Sequence, residues 1–213
     1  MSLLDRIHGD YVHSRRVQVL CRHFSQMLPP NAQVLDVGCG DGLLAQQILQ
    51  ARPDLEISGI DVLVRPRTYV PVKEFDGRSI PHEATSFDVV LFVDVLHHTE
   101  NQMALLAEAA RVGRKHIIIK DHTLNGLLAG PTLRFMDWVG NARHGVVLPY
   151  HYWTRDRWLA AFTELNLKVG LWRKDLELYA RPASWVFERS LHFIARLDVN
   201  QARGGGRPDP SKA

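Results

Sequence analysis

Four short runs, Val34–Val37, Ile57–Ile60, Phe87–Val93 and His116–Ile119, are apolar without alternation and rich in Val and Ile. A strand with one wet face alternates polar and apolar positions, so runs of this kind predict strands buried on both faces, as in a parallel sheet covered by helices on either side. Helical patterns lie between most of them. Val17, Leu20, Cys21, Phe24, Met27 and Leu28 recur at helical spacing before Pro29-Pro30, which predicts an N-terminal helix capped by Ser14 with one apolar, docking face. Leu44, Ile48 and Leu49 form a second stripe that ends before Pro53. Thr99-Glu-Asn-Gln102 matches a capping box, with Met103, Leu106, Ala107 and Ala110 as the buried face behind it.

The second half is less regular. Residues 122–153 contain Gly126, Gly130, Pro131, Gly140, Gly145 and Pro149 around a helical stretch near Leu133–Val139, which reads as a lid-like insertion. From Thr154 a helix presents Trp158, Phe162 and Leu165, and two strand-like runs follow, Leu167–Trp172 and Ser190–Leu197, suited to antiparallel pairing at a sheet edge. Residues 201–213, QARGGGRPDPSKA, hold three Gly, two Pro and no large apolar side chain, the composition of a disordered tail. Residues 1–200 are expected to form one domain, with 1–30 as a cap helix.

Composition narrows the class. At 213 residues, 46% hydrophobic and 23% charged, the chain is neither collagen-like, coiled coil nor disordered throughout. Two cysteines, Cys21 and Cys39, are too few for a disulfide framework and lack the spacing of a zinc or redox pair, which fits a reducing, cytoplasmic setting. The N-terminus lacks a secretory apolar stretch, and no run reaches the roughly 18 apolar residues of a membrane span. Of the formal net charge of +3, Arg203, Arg207 and Lys212 against Asp209 place +2 in the tail. The body is then close to neutral, so no nucleic-acid partner is expected.

The strongest chemical signal is Val34-Leu-Asp-Val-Gly-Cys-Gly-Asp-Gly42, a strand running into glycines and then a helix. Glycines let the backbone turn sharply and approach a ligand with no Cβ between, and a helix N-terminus beside the turn favours a carboxylate or phosphate. Asp61 ends the next strand, about 20 residues beyond Asp41, where a carboxylate can accept both ribose hydroxyls. A dinucleotide fingerprint, G-x-G-x-x-G, needs a third glycine where Leu43 stands; the loop is G-x-G-x-G instead.

With Asp36 as the acid before that loop, the chain resembles the class I S-adenosylmethionine-dependent methyltransferases over about residues 11–121, most closely their type 11 branch acting on small molecules. The resemblance implies an α/β, Rossmann-like, seven-stranded and mostly parallel sheet with helices on both faces and an antiparallel C-terminal edge strand. It implies S-adenosyl-L-methionine as cofactor. Asp36, Gly38, Cys39 and Gly40 would hold its methionine end, Asp61 the ribose and Val62 the adenine face. Phe75-Asp76-Gly77 matches the loop whose acid meets the adenine amino group, and Asp94, ending the Phe87–Val93 strand, would lie beneath the methyl donor. Cys39, between two glycines, reads as a small filler under the loop rather than a nucleophile.

Ligands of such sheets bind outside the carboxyl ends of the strands, where His97-His98 and Lys120-Asp121-His122 also fall. Methyl transfer to a hydroxyl benefits from a base, and histidine suits that work near neutral pH, so His98 and His122 are the candidate catalytic residues. A metal reading would draw on His97, His98, Asp121 and His122, whose spacing matches no recognised zinc pattern, and no metal is expected. Trp138, Tyr150, Tyr152 and Trp153, with His144 and His151, are candidates to line the acceptor pocket, and Tyr11, His13, Arg15 and Arg16 to close over the donor. The expected function is methyl transfer to a small, fairly apolar acceptor at oxygen. Two other readings share the loop and Asp61: a Rossmann-type NAD(P)-dependent oxidoreductase or epimerase, and a non-catalytic S-adenosylmethionine-binding module.

Overall fold

The computed structural model describes residues 3–141, 151–188 and 190–200, and the side chains among them outside 3–14, 137 and 139–141. The tail, His144, Tyr150 and the side chains of Tyr11 and His13 lie outside the described set. In chain order the elements are α1 (Leu3–Met27), β1 (Gln33–Val37), α2 (Leu43–Ala51), β2 (Glu56–Asp61), β3 (Val72–Glu74), β4 (Phe87–Val93), a 3-10 turn (Leu96–His98), α3 (Gln102–Val112), β5 (Gly113–His122), α4 (Ala129–Asn141), α5 (Arg155–Glu164), β6 (Leu167–Arg173), α6 (Ser184–Phe187) and β7 (His192–Val199).

The strands form one seven-stranded sheet in the order β3-β2-β1-β4-β5-β7-β6. β1 pairs in parallel with both β2 and β4, and β5 in parallel with β4. β7 runs antiparallel and inserts between β5 and β6, leaving β6 at the edge. Successive residues of a buried strand face opposite sides. Leu35, Val37, Phe92, Ile117 and Ile119 accordingly pack with α3 and α5 through Leu105, Leu106, Trp158 and Phe162, while Val34, Leu91 and Ile118 pack with α1 and α2 through Leu20, Phe24 and Ile48. Helices thus cover both faces.

Three boundaries differ from the sequence reading. α1 runs back to Leu3, so Ser14 lies inside it rather than at its start; no proline precedes Ser14, and Gly9 alone, at about 1 kcal/mol, does not break a helix. The cap of α3 is Asn101, whose side chain accepts the Ala104 N–H at 3.0 Å, while the Thr99 hydroxyl donates to the Leu96 carbonyl at 2.9 Å and closes the preceding turn. β5 extends through Lys120, Asp121 and His122, which are strand residues rather than part of a loop. Of the residues expected to form a lid, 142–150 lie outside the described set; among the rest, Ala129 and Leu133 of α4 pack with Tyr152 and Leu191 as a small separate core. Trp138 points away from it, 61% exposed. Among the described residues no helix is long and apolar enough to cross a membrane.

The order of the strands positions the site. The chain leaves β1 toward β2 on one side and returns as β4 on the other, so the loops after β1 and β4 diverge and open a crevice at the carboxyl ends.

Candidate active site

β1 delivers Asp36 and then turns through Gly38 (φ 73°), Gly40 (φ 61°) and Gly42 (φ 79°), left-handed conformations that favour glycine. A Cβ on Gly38 would lie 2.5 Å from Val95 Cγ2 and one on Gly42 2.6 Å from Val70 Cγ2, whereas one on Gly40 would meet nothing within 4 Å. Two glycines are therefore packed against the neighbouring loops, and the third presents bare backbone to open space. The turn is tied to β2: the Gly38 N–H donates to the Ile60 carbonyl at 2.7 Å and the Gly40 N–H to Asp61 Oδ2 at 2.8 Å, while Asp61 Oδ1 accepts the Leu63 N–H just beyond its own strand at 2.9 Å. Gly38→Ala should consequently destabilise the fold by roughly 1–3 kcal/mol, the range of overpacking and backbone strain, and Gly40→Ala by less. Thermal melts of the two variants check the order.

Asp36 is buried, and burial first, then the nearby Asp61 carboxylate, pushes its carboxyl up to about 7. Such a group sits near its ionisation point at neutral pH and gains from a cation beside it. Cys39 packs under the loop so closely that a Cβ on Gly59 would lie 2.2 Å from its Sγ. Burial, Asp36 and Asp61 drive its thiol up and keep it protonated, which suits a filler. Asp76 begins a turn in which its Oδ1 accepts the Arg78 and Ser79 N–H groups at 2.8 and 2.7 Å, and these bonds lower its pKa. A Cβ on Gly77 (φ 75°) would lie 3.1 Å from Val62 Cγ1, so the loops after β2 and β3 meet there. Val62, Leu63 and Tyr69 are more than half exposed along the same rim.

Across the crevice, at the ends of β4 and β5, lies a buried polar cluster. Asp94 is left-handed (φ 57°) and its carboxylate accepts from Arg16 of α1 and from Lys120. Lys120 shares a sheet face with Ile118, the face that α1 covers, which is why Arg16 reaches the same acid. Burial alone would raise the Asp94 pKa, but Arg16 and Lys120 outweigh it and hold the group well below the ordinary carboxylate range. Asp121, on the opposite face, accepts the Leu96 N–H at 3.1 Å and the His122 N–H at 2.7 Å, and meets His97 Nδ1 at 2.6 Å. His97 (1% exposed) stacks on Tyr152, with ring centroids 5.4 Å apart. The His122 ring lies edge-on to His97 at 4.6 Å and 4.8 Å from that of His192.

Of the two histidines expected as bases, His122 belongs to this cluster, while His98 packs its ring on His97 at 3.9 Å. It is His97 whose ring nitrogen lies at hydrogen-bond distance from a carboxylate, 2.6 Å from Asp121, while His122 Nδ1 stands 3.4 Å from the same acid. The pairing joins residues 24 apart in sequence, and an adjacent His-His pair carries no local mark of which ring turns inward. His192 carries no local mark for a similar reason: antiparallel register alone brings it opposite His122. Arg16, a candidate to close over the donor, pairs with Asp94, 78 residues away in sequence, a contact with no local signal.

His97, Asp121 and His122 each offer a ligand atom, all within 4.8 Å of one another. The surroundings argue against a divalent cation: Arg16 and Lys120 already neutralise Asp94, and Asp121 already accepts three hydrogen bonds. A metal would add two further charges in a buried region already supplied with cations. The arrangement suits proton transfer.

Residues 11–177 match the family model described as the methyltransferase domain. Among curated proteins, the chain is 31% identical over 108 residues to the ubiquinone biosynthesis O-methyltransferase of Hahella chejuensis, covering 45% of this chain and 44% of that protein. It is 28% identical over 139 residues to the 27-O-demethylrifamycin SV methyltransferase of Amycolatopsis mediterranei, covering 53% and 51%. The chain thus spans about half the length of these relatives. Among solved structures, an S-adenosylmethionine-dependent methyltransferase from Mesorhizobium loti superposes with a TM-score of 0.61 at 18% identity, over 81% of this chain and 94% of that one. A chain from the complex of the Haloferax volcanii Trm112 methyltransferase activator with a methyltransferase gives 0.65 at 14%, over 87% and 91%.

Proposed function

The chain belongs to the class I S-adenosylmethionine-dependent methyltransferase family, and from that premise we propose that it transfers the methyl group of S-adenosylmethionine to the oxygen of a small, fairly apolar acceptor. The observation that carries this reading is the joining, at one crevice, of a glycine turn with open backbone at Gly40 and a buried histidine cluster at the ends of β4 and β5. The residues fit the donor. Asp36 and the backbone of Gly38, Cys39 and Gly40 would hold its methionine end, Asp61 its ribose, and Val62, Asp76 and Gly77 its adenine. Asp94 stands across the crevice with its charge balanced by Arg16 and Lys120, so it shapes the floor near the donor.

When bound, S-adenosylmethionine supplies an electrophilic methyl group on a positively charged sulfur. The protein's part is to align the acceptor, exclude water and take up the hydroxyl proton; alignment alone can contribute about 7–11 kcal/mol. The histidine cluster provides the proton acceptor, which is why oxygen is favoured. The names of the two O-methylating curated relatives agree with that choice. Acceptor selection would fall to the surroundings of α4, where Tyr152 packs with Leu133 and Leu191 and stacks on His97.

Incubation with methyl-labelled donor and a panel of small hydroxyl, amine and activated-carbon acceptors tests the reading. Label transferred into an ether or ester supports it; label only in amine or carbon products refutes the oxygen assignment. A pH effect follows from Asp36. Its folded pKa of about 7 lies above its ordinary value of 3.8, so the donor's ammonium, by favouring the carboxylate, should release a proton on binding. Donor affinity should rise with pH up to about 7 and then level. In the free protein the same raised pKa makes Asp36 cost stability as pH climbs from 3.8 to about 7. Asp36→Asn should flatten the affinity profile, as read by calorimetry.

A further inference from the structure

α4 is apolar on two sides. Ala129, Leu133 and Met136 turn inward, onto the core that holds Leu191 and Tyr152. Leu128, Pro131, Phe135 and Trp138 recur at steps of three, four and three along the other side, and all four are exposed. A helix of a surface layer carries one apolar stripe, whereas a helix apolar on both sides is ordinarily covered on both. The outer stripe continues onto α6. The Phe135 ring lies 6.3 Å from that of Trp138 and stacks at 13° on that of Phe187, 6.4 Å away, and Trp185 stands two residues from Phe187. Leu127, Leu128, Phe135, Trp138 and Trp185 are each more than half exposed. Leu128 is held outward on a left-handed backbone (φ 61°), a conformation that ordinarily falls to glycine or asparagine.

We infer that this α4–α6 face pairs with the same face of a second copy of the chain across a two-fold axis, where one self-complementary patch covers both. The area fits that occupant. The five side chains expose roughly 350–650 Å² of apolar surface. A stable interface of standard size takes about 800 Å² from each partner, of which about 450–520 Å² is apolar, so the patch supplies that share. The charge fits as well. Segments 127–138 and 181–188 carry Arg134 and Arg181 against Asp137 and Glu188, no net charge, and tryptophan is the side chain most often found at the centre of such contacts. A lipid surface would be met by an apolar face with a basic margin. This face lacks one: +2 of the formal +3 falls in residues 201–213, after β7, which starts at His192 opposite the carboxyl end of β5 and runs away from it.

Sedimentation velocity of the full chain tests the pairing, at concentrations from about 1 to 100 µM, which bracket the weak end of affinities for an interface of this size. The wild-type protein should sediment at twice the 24.2 kDa of one chain and dissociate only on dilution. Trp138→Glu and Trp185→Glu, at exposed positions, should keep the wild-type melting profile at concentrations where both proteins are monomeric. Each should raise the dissociation constant by about a hundredfold or more, because a two-fold contact carries every substitution twice. Leu127→Glu, outside both helices, should act in the same direction and serves if a tryptophan variant fails to fold. A wild-type chain that stays monomeric throughout the range would overturn the inference. So would a dimer that persists undiminished in the folded variants, since it would use another face. Flotation with vesicles of phosphatidylcholine and phosphatidylglycerol provides the remaining arm: a monomer that floats through Trp138 and Trp185 would assign the patch to lipid and equally overturn the pairing.

Discussion

Asp61→Ala should weaken the binding of S-adenosylhomocysteine by roughly ten- to a hundredfold, the scale of losing hydrogen bonds to a charged group. The size reflects two tasks in one side chain. In the proposed donor site Asp61 would accept the ribose hydroxyls, and it already accepts the Gly40 N–H at 2.8 Å, which ties the glycine turn to the end of β2, and the Leu63 N–H at 2.9 Å just beyond its own strand. Removing the carboxylate would delete the proposed ribose contact and release the Gly40 backbone that the rest of the donor would use. Asp61→Asn retains one acceptor oxygen and should fall between wild type and alanine. Isothermal titration calorimetry on the three proteins measures the order. Equal affinities would remove Asp61 from the donor site.

The largest effect on stability is expected at Lys120. Its side chain is 0% exposed and donates to Asp94, which is partly buried, with 15% of its side chain exposed. Lys120→Met would leave Asp94 with Arg16 as its remaining charged guanidinium or ammonium partner. Breaking one side of a buried pair costs about 3–5 kcal/mol, or roughly 6–20 °C for a chain of this size. Adding Asp94→Asn should recover much of the loss, since asparagine tolerates the left-handed backbone at that position and carries no charge. The sign with pH follows from the direction of the Asp94 shift. Its folded pKa is depressed, so its contribution is full above the ordinary carboxylate pKa and is lost as pH falls through the folded value. The wild-type and Lys120→Met melting curves should therefore converge in strong acid. A Lys120→Met protein melting with wild type at neutral pH would show that the pair is not what secures this end of the sheet.

The parts of the molecule legible in the sequence are those written in consecutive residues. The glycine turn, Asp61 and the buried strands carry their own local pattern, and the apolar runs placed β1, β2 and β4 almost to the residue. β3 is three residues long and has no fully buried position, too little to register as a run. β5 hid its last residues because Lys120, Asp121 and His122 break the apolar pattern; they are buried among ion-pair and hydrogen-bond partners rather than apolar side chains. The same reason conceals the site's organisation. Arg16 and Asp94 are 78 residues apart, and His97 and Asp121 meet because β4 and β5 are neighbours. Periodicity reports what a segment buries, not which polar group waits for it on the adjacent strand.

The central claim is that the Gly38–Gly42 turn and Asp61 bind the adenosyl donor. Thermal unfolding with S-adenosylmethionine, S-adenosylhomocysteine or NADH, each added separately, tests it most directly. Ligand at about 100 times its dissociation constant adds about 2.7 kcal/mol, which corresponds to roughly 5–11 °C for a chain of this length. The account predicts a rise of that size with both adenosyl ligands and none with NADH; a rise with NADH alone, or with none of the three, would contradict it.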